Sequence, residues 1–355
     1  MLLYIHIPFC DSKCFYCAFN SYTNMFHLKK EYMNSLKNHL KHSVENELKL
    51  KNKTIETVFI GGGTPSSILA LEYKEIFEII QPYLEENAEI TVEANPNSAT
   101  QSWLETMFFY GANRVSFGVQ SFNDEKLKFL GRAHNATKAK EAIVLAKEVG
   151  YKRINCDLIY GVLNDTFESI QKDIDIINTL PIDHVSAYSL TIEEGTKFFA
   201  KSSVKIDDEE LSGKIFSYLE KSGFKQYEIS NFAKEEASTS KHNIGYWQHK
   251  EYLGVGAGAV GYIAGQRLYP QKDLEKYIQN PFENEIEVLS HEEIKTEKIL
   301  LGLRSLVGIE LSLFNEKENH KVMQLVEYEK IYIKNDRVYS KDFLLADELA
   351  LYILE

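Results

Sequence analysis

The sequence predicts an α/β fold: a partial (β/α)6 TIM-like barrel with a smaller, mainly helical C-terminal region. Three observations carry that reading. Six short β-like runs alternate with amphipathic helical stretches over the first two hundred residues. Cysteines, glycines and polar side chains gather at the C-terminal ends of those runs. Beyond about Lys201 the alternation gives way. Strand–helix alternation calls for a parallel sheet with helices outside it, and six units are too few to close an eight-fold ring.

In chain order the runs are Leu2–Ile7, Glu56–Ile60, Glu89–Glu93, Asn113–Gly118, Arg153–Ile159 and His184–Leu190. Between them, Leu28–Lys51, Glu72–Leu84, Thr137–Val149 and Thr166–Asn178 space their apolar residues at the helical period. A helix over Asp207–Ser222 follows, then a polar loop over Lys234–Lys241, the segment His242–Trp247 and the glycine-rich Gly254–Gly265. Beyond Pro270 the chain is charged and mostly helical, with Glu292–Leu306 the clearest helix and Lys330–Asp336 a hairpin. The expected organisation is a barrel core (1–200), an extension (201–280) and a C-terminal domain (281–355).

The bulk numbers narrow the function classes. With 355 residues, 44% hydrophobic and 26% charged, the chain has the balance of a globular protein with a sizeable core. A formal net charge of −12 repels a phosphate backbone, so nucleic acid is not an expected partner. The apolar run Leu2–Phe9 has no basic leader or small-residue cleavage site, and Leu253–Gly265 is too short to span a bilayer. A cytoplasmic location is therefore expected.

Of the four cysteines, three lie within eight residues, in Cys10-Asp-Ser-Lys-Cys14-Phe-Tyr-Cys17 directly after the first run. That clustering does not suit a disulfide framework. Three thiolates on so tight a loop suit three irons of a [4Fe–4S] cube, leaving the fourth iron open. S-adenosylmethionine (SAM) can chelate an open iron through its amino and carboxylate groups, and an electron from the cluster then generates a 5′-deoxyadenosyl radical. The alternative is a zinc site, but zinc wants a fourth ligand, and His6 and His27 stand at no standard spacing. Cys156, alone in a strand-like run, reads as a small buried hydrophobe.

Other strand ends carry suitable groups. Gly61-Gly62-Gly63-Thr64-Pro65 lets a backbone approach a ligand. Glu93 suits the SAM ammonium, Gln120 and Asp157 suit ribose hydroxyls, and Arg132 suits a carboxylate. Singly, each also suits an ordinary polar network. Their placement at successive strand ends makes the stronger case.

These motifs resemble the radical SAM family that contains anaerobic coproporphyrinogen III oxidase and its heme-chaperone relatives, over nearly the whole chain. The resemblance implies that Cys10, Cys14 and Cys17 hold the cluster. It also implies that Tyr4, Tyr16, Gly62, Gly63, Thr64, Glu93, Gln120, Arg132, Asp157 and Thr191 contact SAM or the cluster. Three departures separate the chain from the oxidase. Phe19 stands where the oxidase has a further cysteine, the chain begins at strand one, and His242-Asn-Ile-Gly-Tyr-Trp247 resembles the chaperone's His-Asn-x-x-Tyr-Trp motif. Imidazole is a good heme-iron ligand, so His242 is the expected ligand, with Tyr246 on its face if the segment is helical. Its alternative is a histidine hydrogen-bonded within the barrel. The expected function is heme carriage to an acceptor protein, with an unidentified electron donor. The enzymatic alternative is oxidative decarboxylation of coproporphyrinogen III.

Overall fold

The computed structural model describes residues 1–206 and 209–355. Six parallel strands form the heart of the molecule: β1 (Leu2–Ile7), β2 (Ile55–Gly62), β3 (Leu84–Ala94), β4 (Arg114–Gln120), β5 (Arg153–Tyr160) and β6 (His184–Ser189). All six match the predicted runs to within a few residues. In β1, Leu3, Ile5 and Ile7 are fully buried against the surrounding helices, while Tyr4 and His6 point the other way, into the barrel bore.

The helices that pack outside are α1 (Lys29–Ser43), α2 (Lys74–Ile80), α3 (Gln101–Tyr110), α4 (Asp124–Phe129), α5 (Ala136–Val149) and α6 (Phe167–Asn178). Their starts follow local chemistry. Thr100, Asn123, Asn135 and Thr166 each accept a backbone N–H of the first turn, and Gly111 and Gly150 end α3 and α5 in the left-handed conformation.

The sheet continues past the six units. Helix α7 (Glu209–Lys221) leads into β7 (Lys225–Gln226) and β8 (Asn231–Ala233), and β8 runs antiparallel to β6. The first two residues of the helix predicted over Asp207–Ser222 lie outside the described residues. After α8 (Lys241–Trp247), β9 (Tyr252–Val255) pairs parallel with β1, so the first strand is interior to the sheet. Strands β10 (Gly261–Ile263), β11 (Gln266–Pro270) and β12 (Asn284–Val288), with α9 (Leu274–Gln279) between the last two, complete an open sheet. Its order is β12-β11-β10-β9-β1-β2-β3-β4-β5-β6-β8-β7. The charged stretch beyond Pro270 therefore opens with the short helix α9 and then a strand, β12, which the sequence reading did not expect. Its two apolar residues, Ile286 and Val288, face solvent at this edge, so no buried face marks the strand.

The chain ends in α10 (His291–Leu303), α11 (Glu316–Glu327) and α12 (Ala346–Leu354) around a small sheet of β13 (Ile309–Glu310), β14 (Ile331–Lys334) and β15 (Arg337–Ser340). Leu303, Val322, Val338 and Ala350 form part of a separate core there. Asn335 and Asp336, both at positive φ, make the two-residue turn of the predicted hairpin.

Candidate cofactor site

The cysteine loop leaves the C-terminal end of β1 and is pinned by backbone bonds. Cys10 N donates to Tyr22 O (3.1 Å) and Tyr22 N to Pro8 O (2.7 Å), closing its neck. Phe15 N donates to Leu130 O (3.0 Å) and Phe198 N to Phe15 O (3.0 Å), tying its tip to segments after β4 and β6. Cys10 is buried and Cys14 and Cys17 are half-buried, all three as free thiols. Thr64 Oγ1 donates to Cys10 Sγ (3.4 Å) and Arg132 Nη1 to Cys14 Sγ (3.2 Å). Burial pushes the Cys10 thiol up, and hydrogen bonds from Thr64 and Ser21 oppose that shift. Among the described residues no three His, Cys, Asp or Glu side chains converge on one ion position. The thiolates of a cube bind different irons and need no such convergence.

Behind the loop, the glycine motif lets two chain segments touch. Gly63 N donates to Ile7 O (2.8 Å) and Thr64 N to Phe9 O (2.8 Å). A Cβ on Gly63 would stand 2.8 Å from both carbonyl oxygens Ile7 O and Phe9 O, so no larger residue fits. Gly62, at φ 110°, donates its N–H to Glu93 Oε2 (3.0 Å).

The bore beyond is polar. Burial, then the Asp157 charge, pushes Glu93 up to about 8, against the Gly62 hydrogen bond. Burial raises Asp157 to about 6, against hydrogen bonds from Asn155, Ser186 and Ser116 and the charge of Arg132. Burial also pushes the Tyr4 phenol up, and its OH lies 2.8 Å from His6 Nδ1. Tyr16 has its phenol raised by burial and by Cys14 and Cys17, although Arg132 opposes this. Arg132 also donates to Gly118 O. Gln120 closes β4 at φ 72°. Three buried polar atoms here have no protein partner: Gln120 Oε1, Arg132 Nε and Thr91 Oγ1. Each unsatisfied buried group costs about 1–3 kcal/mol, so together they mark room for a polar ligand. This donor and acceptor set fits an amino acid–nucleoside ligand seated against the cysteine loop. Thr191 stands apart. It is exposed beyond β6, with its hydroxyl on Ser189 O.

His242 lies at the other end of the barrel, beside Thr57 near the start of β2. Helix α8 is capped by Ser240 and does place Tyr246 on the His242 face. His242 N donates to Glu89 Oε1 (3.1 Å), Nδ1 lies 2.7 Å from Thr57 Oγ1, and Nε2 lies 3.1 Å from Tyr246 OH. The ring packs on Phe59 and is 1% exposed, and burial lowers its pKa to about 3. In this arrangement both ring nitrogens are engaged. A Cβ on Gly245 would lie 2.6 Å from Leu2 Cδ1, so a larger residue there would make the Leu2 side chain shift.

The floor around His242 was not singled out by sequence reasoning. Arg114, 2% exposed, donates to Ser238 O (2.8 Å) and pairs with Glu89, as does Arg153. A signal was present: Glu89/Thr91/Glu93, Arg114/Ser116, Asn155/Asp157 and His184/Ser186 are period-two polar positions in otherwise apolar strands. Strands buried on both faces usually read as continuous apolar runs, so these polar positions mark the lining of a bore. Cys156 is fully buried, as expected.

Comparison with known proteins follows the same outline. The Radical SAM superfamily profile matches residues 4–177. The heme chaperone HemW of Bacillus subtilis is 35% identical over 330 residues, covering 88% of this chain and 86% of the relative. HemW of Escherichia coli is 38% identical over 269 residues, covering 74% and 70%. Among solved structures, the coproporphyrinogen III oxidase HemN of Escherichia coli superposes with a TM-score of 0.82 at 20% identity. That match covers 99% of this chain and 89% of HemN and shows a shared fold. A [4Fe–4S] cluster and SAM are the cofactors that go with this superfamily and with the residues at the mouth of the bore. The chain belongs to the HemW family of radical SAM proteins.

Proposed function

We propose that the protein binds heme and passes it to an acceptor protein, with a [4Fe–4S] cluster on Cys10, Cys14 and Cys17 and SAM in the adjoining bore. The observation that supports the SAM site best is the set of unpartnered atoms on Gln120, Arg132 and Thr91, facing a bore whose mouth is the cysteine loop. When bound, the cluster and SAM supply one-electron reductive chemistry. The chain's own residues bind and orient. Glu93 accepts from the ligand's amino group, Arg132 meets its carboxylate, and Gln120 and Asp157 its ribose hydroxyls, while Gly62, Gly63 and Thr64 hold Glu93, β1 and Cys10 in place around it. Tyr4 and Tyr16 wall the pocket, and Thr191 would approach only through movement of the segment after β6. We place the functional division at 1–200, 201–280 and 281–355.

Heme carriage rests on what the relatives are named for. His242 is the motif's candidate ligand, and it becomes available to iron only when Tyr246 OH releases Nε2. The oxidase reading is weaker at one point: Phe19, 69% exposed beside the cysteine loop, cannot supply the further thiolate of the oxidase pattern. The test is to incubate reconstituted protein anaerobically with heme, and separately with coproporphyrinogen III, SAM and reductant. Stable heme binding without protoporphyrinogen formation is expected. Decarboxylation without heme binding would overturn the proposal.

A further inference from the structure

Helix α8 has a second face. His242 and Tyr246 point into the barrel floor, whereas Ile244 and the following Gln248 line a cavity of about 980 Å3 between the barrel's far edge and the C-terminal sheet. This volume lies at the upper end of small-molecule sites. Tyr227, Ile244, Leu306 and Val307 supply an apolar surface. The charged lining is balanced: Lys225, Lys250 and Arg337 against Glu235, Glu236 and Glu310. Lys250 is paired with Glu56 and Arg337 with Glu310. Among the described residues Lys225 has no carboxylate partner, so it is free to meet a ligand carboxylate.

Tyr227 also ends a buried hydrogen-bond chain that begins in the SAM pocket. Asn155 Nδ2 donates to Asp157 Oδ1 (2.6 Å), and Asn155 Oδ1 lies 2.6 Å from His184 Nδ1. His184 Nε2 lies 2.7 Å from Tyr227 OH, which accepts from Ser240 N (3.1 Å) at the cap of α8. With the His184 imidazole held neutral by burial, one proton arrangement satisfies the chain. The Asn155 amide donates to the carboxylate, so its oxygen must accept from His184 Nδ1–H, and Nε2 must accept from the Tyr227 hydroxyl. Tyr227 also lines the cavity, so a ligand acceptor that reached its hydroxyl would compete with His184 for that hydrogen.

We propose that this cavity is the docking site for heme, an apolar macrocycle with carboxylate arms, and that its occupancy is read at the SAM pocket through Tyr227, His184, Asn155 and Asp157. The inference rests on the heme-carrier reading. It places docked heme on the outer side of α8, with His242 as the support of that helix. A propionate that draws the Tyr227 hydroxyl away from His184 loosens the orientation of Asn155 and Asp157 and weakens SAM binding. Couplings of this kind are typically about 5- to 150-fold.

The test is calorimetric titration of SAM into the cluster-loaded, full-length protein with and without heme, together with heme titration followed by absorbance. Heme should weaken SAM binding at least about fivefold. Leu306→Trp, at a position 54% exposed whose backbone N–H bonds Tyr227 O (2.9 Å) but whose apolar side chain takes no part in the relay's hydrogen bonds, should weaken heme binding at least about tenfold and leave heme-free SAM affinity unchanged. Tyr227→Phe should bind SAM but lose its response to heme. Wild-type heme affinity in Leu306→Trp would overturn the site, and heme binding without an effect on SAM would overturn the relay. A response retained by Tyr227→Phe would do the same. The wild-type and Leu306→Trp measurements stand whatever Tyr227→Phe does to folding. No heme binding by the wild-type protein would be the distinct failure of the carrier reading itself.

Discussion

The Asp157 carboxyl lies near enough to Glu93, in the same bore, to raise that residue's proton affinity. At neutral pH Glu93, at about 8, keeps its proton while Asp157, at about 6, has mostly lost its own, and a ligand amino group that donates to Glu93 must meet it deprotonated. SAM affinity of the cluster-loaded protein is therefore expected to rise as pH increases from about 6 to about 8. Glu93→Gln should flatten the rise. Titration of SAM at several pH values checks this, and a pH-independent affinity counts against the assigned pocket.

The same groups set the stability of the cofactor-free chain with the opposite sign. Glu93 and Asp157 bind protons more tightly folded than unfolded, so the folded state gains from them at low pH. That gain is lost as pH climbs through the raised values of about 8 and about 6. Denaturant midpoints of the apo protein should fall between about pH 5 and about pH 8, and less so in Glu93→Gln.

Only three thiols share the loop. Serine at Cys10, Cys14 or Cys17 should remove most of the cluster's visible absorbance after reconstitution. Serine at Cys156, buried in β5, should leave that absorbance intact while costing about 1–3 kcal/mol of stability. Equal loss of absorbance from all four changes would show that the ligands are misassigned.

Gly63→Ala brings a methyl against Ile7 O and Phe9 O with no flexible side chain to yield. A loss of about 1–3 kcal/mol is expected. Iron retention should also fall, because the displaced backbone carries Thr64 away from Cys10. Thermal unfolding and iron analysis of the purified variant measure both effects.

His242→Ala strips partners from Thr57 Oγ1 and Tyr246 OH and opens a void beside Phe59. A stability loss of about 2–4 kcal/mol is expected by denaturant titration. Heme spectra then separate two roles. A supporting residue lowers heme occupancy at an unshifted Soret wavelength, whereas an iron ligand shifts the wavelength itself.

What the sequence made legible was whatever repeats or crowds. The six parallel strands could be read because Leu3/Ile5/Ile7 and their counterparts recur against helices of regular period, and the cysteine loop because three rare residues fall within one turn of chain. The strands β7 to β12 could not be read, because two to five residues carry too little alternation to distinguish strand from loop. The unpartnered atoms of Gln120, Arg132 and Thr91 belong to three separate segments, and only the folded barrel brings them together. His242 shows a different limit. Its motif indicated a ligand, whereas its surroundings, Thr57 and Tyr246, are distant in sequence or lie one helical turn away, and they decide whether a nitrogen is free.

The seat of β1 between β2 and β9 has a consequence for how the protein is made. Leu2 aligns with both Thr57 and Tyr252, so β1 waits for a neighbour some 250 positions later. Until then one apolar edge of the nascent sheet lies open, the kind of non-local pairing that folds late and invites misassociation. The loop bearing Cys10, Cys14 and Cys17 hangs from that same strand and is clasped by Leu130 and Phe198. A chain truncated before Tyr252 would carry its three thiols on a strand with one edge left unpaired.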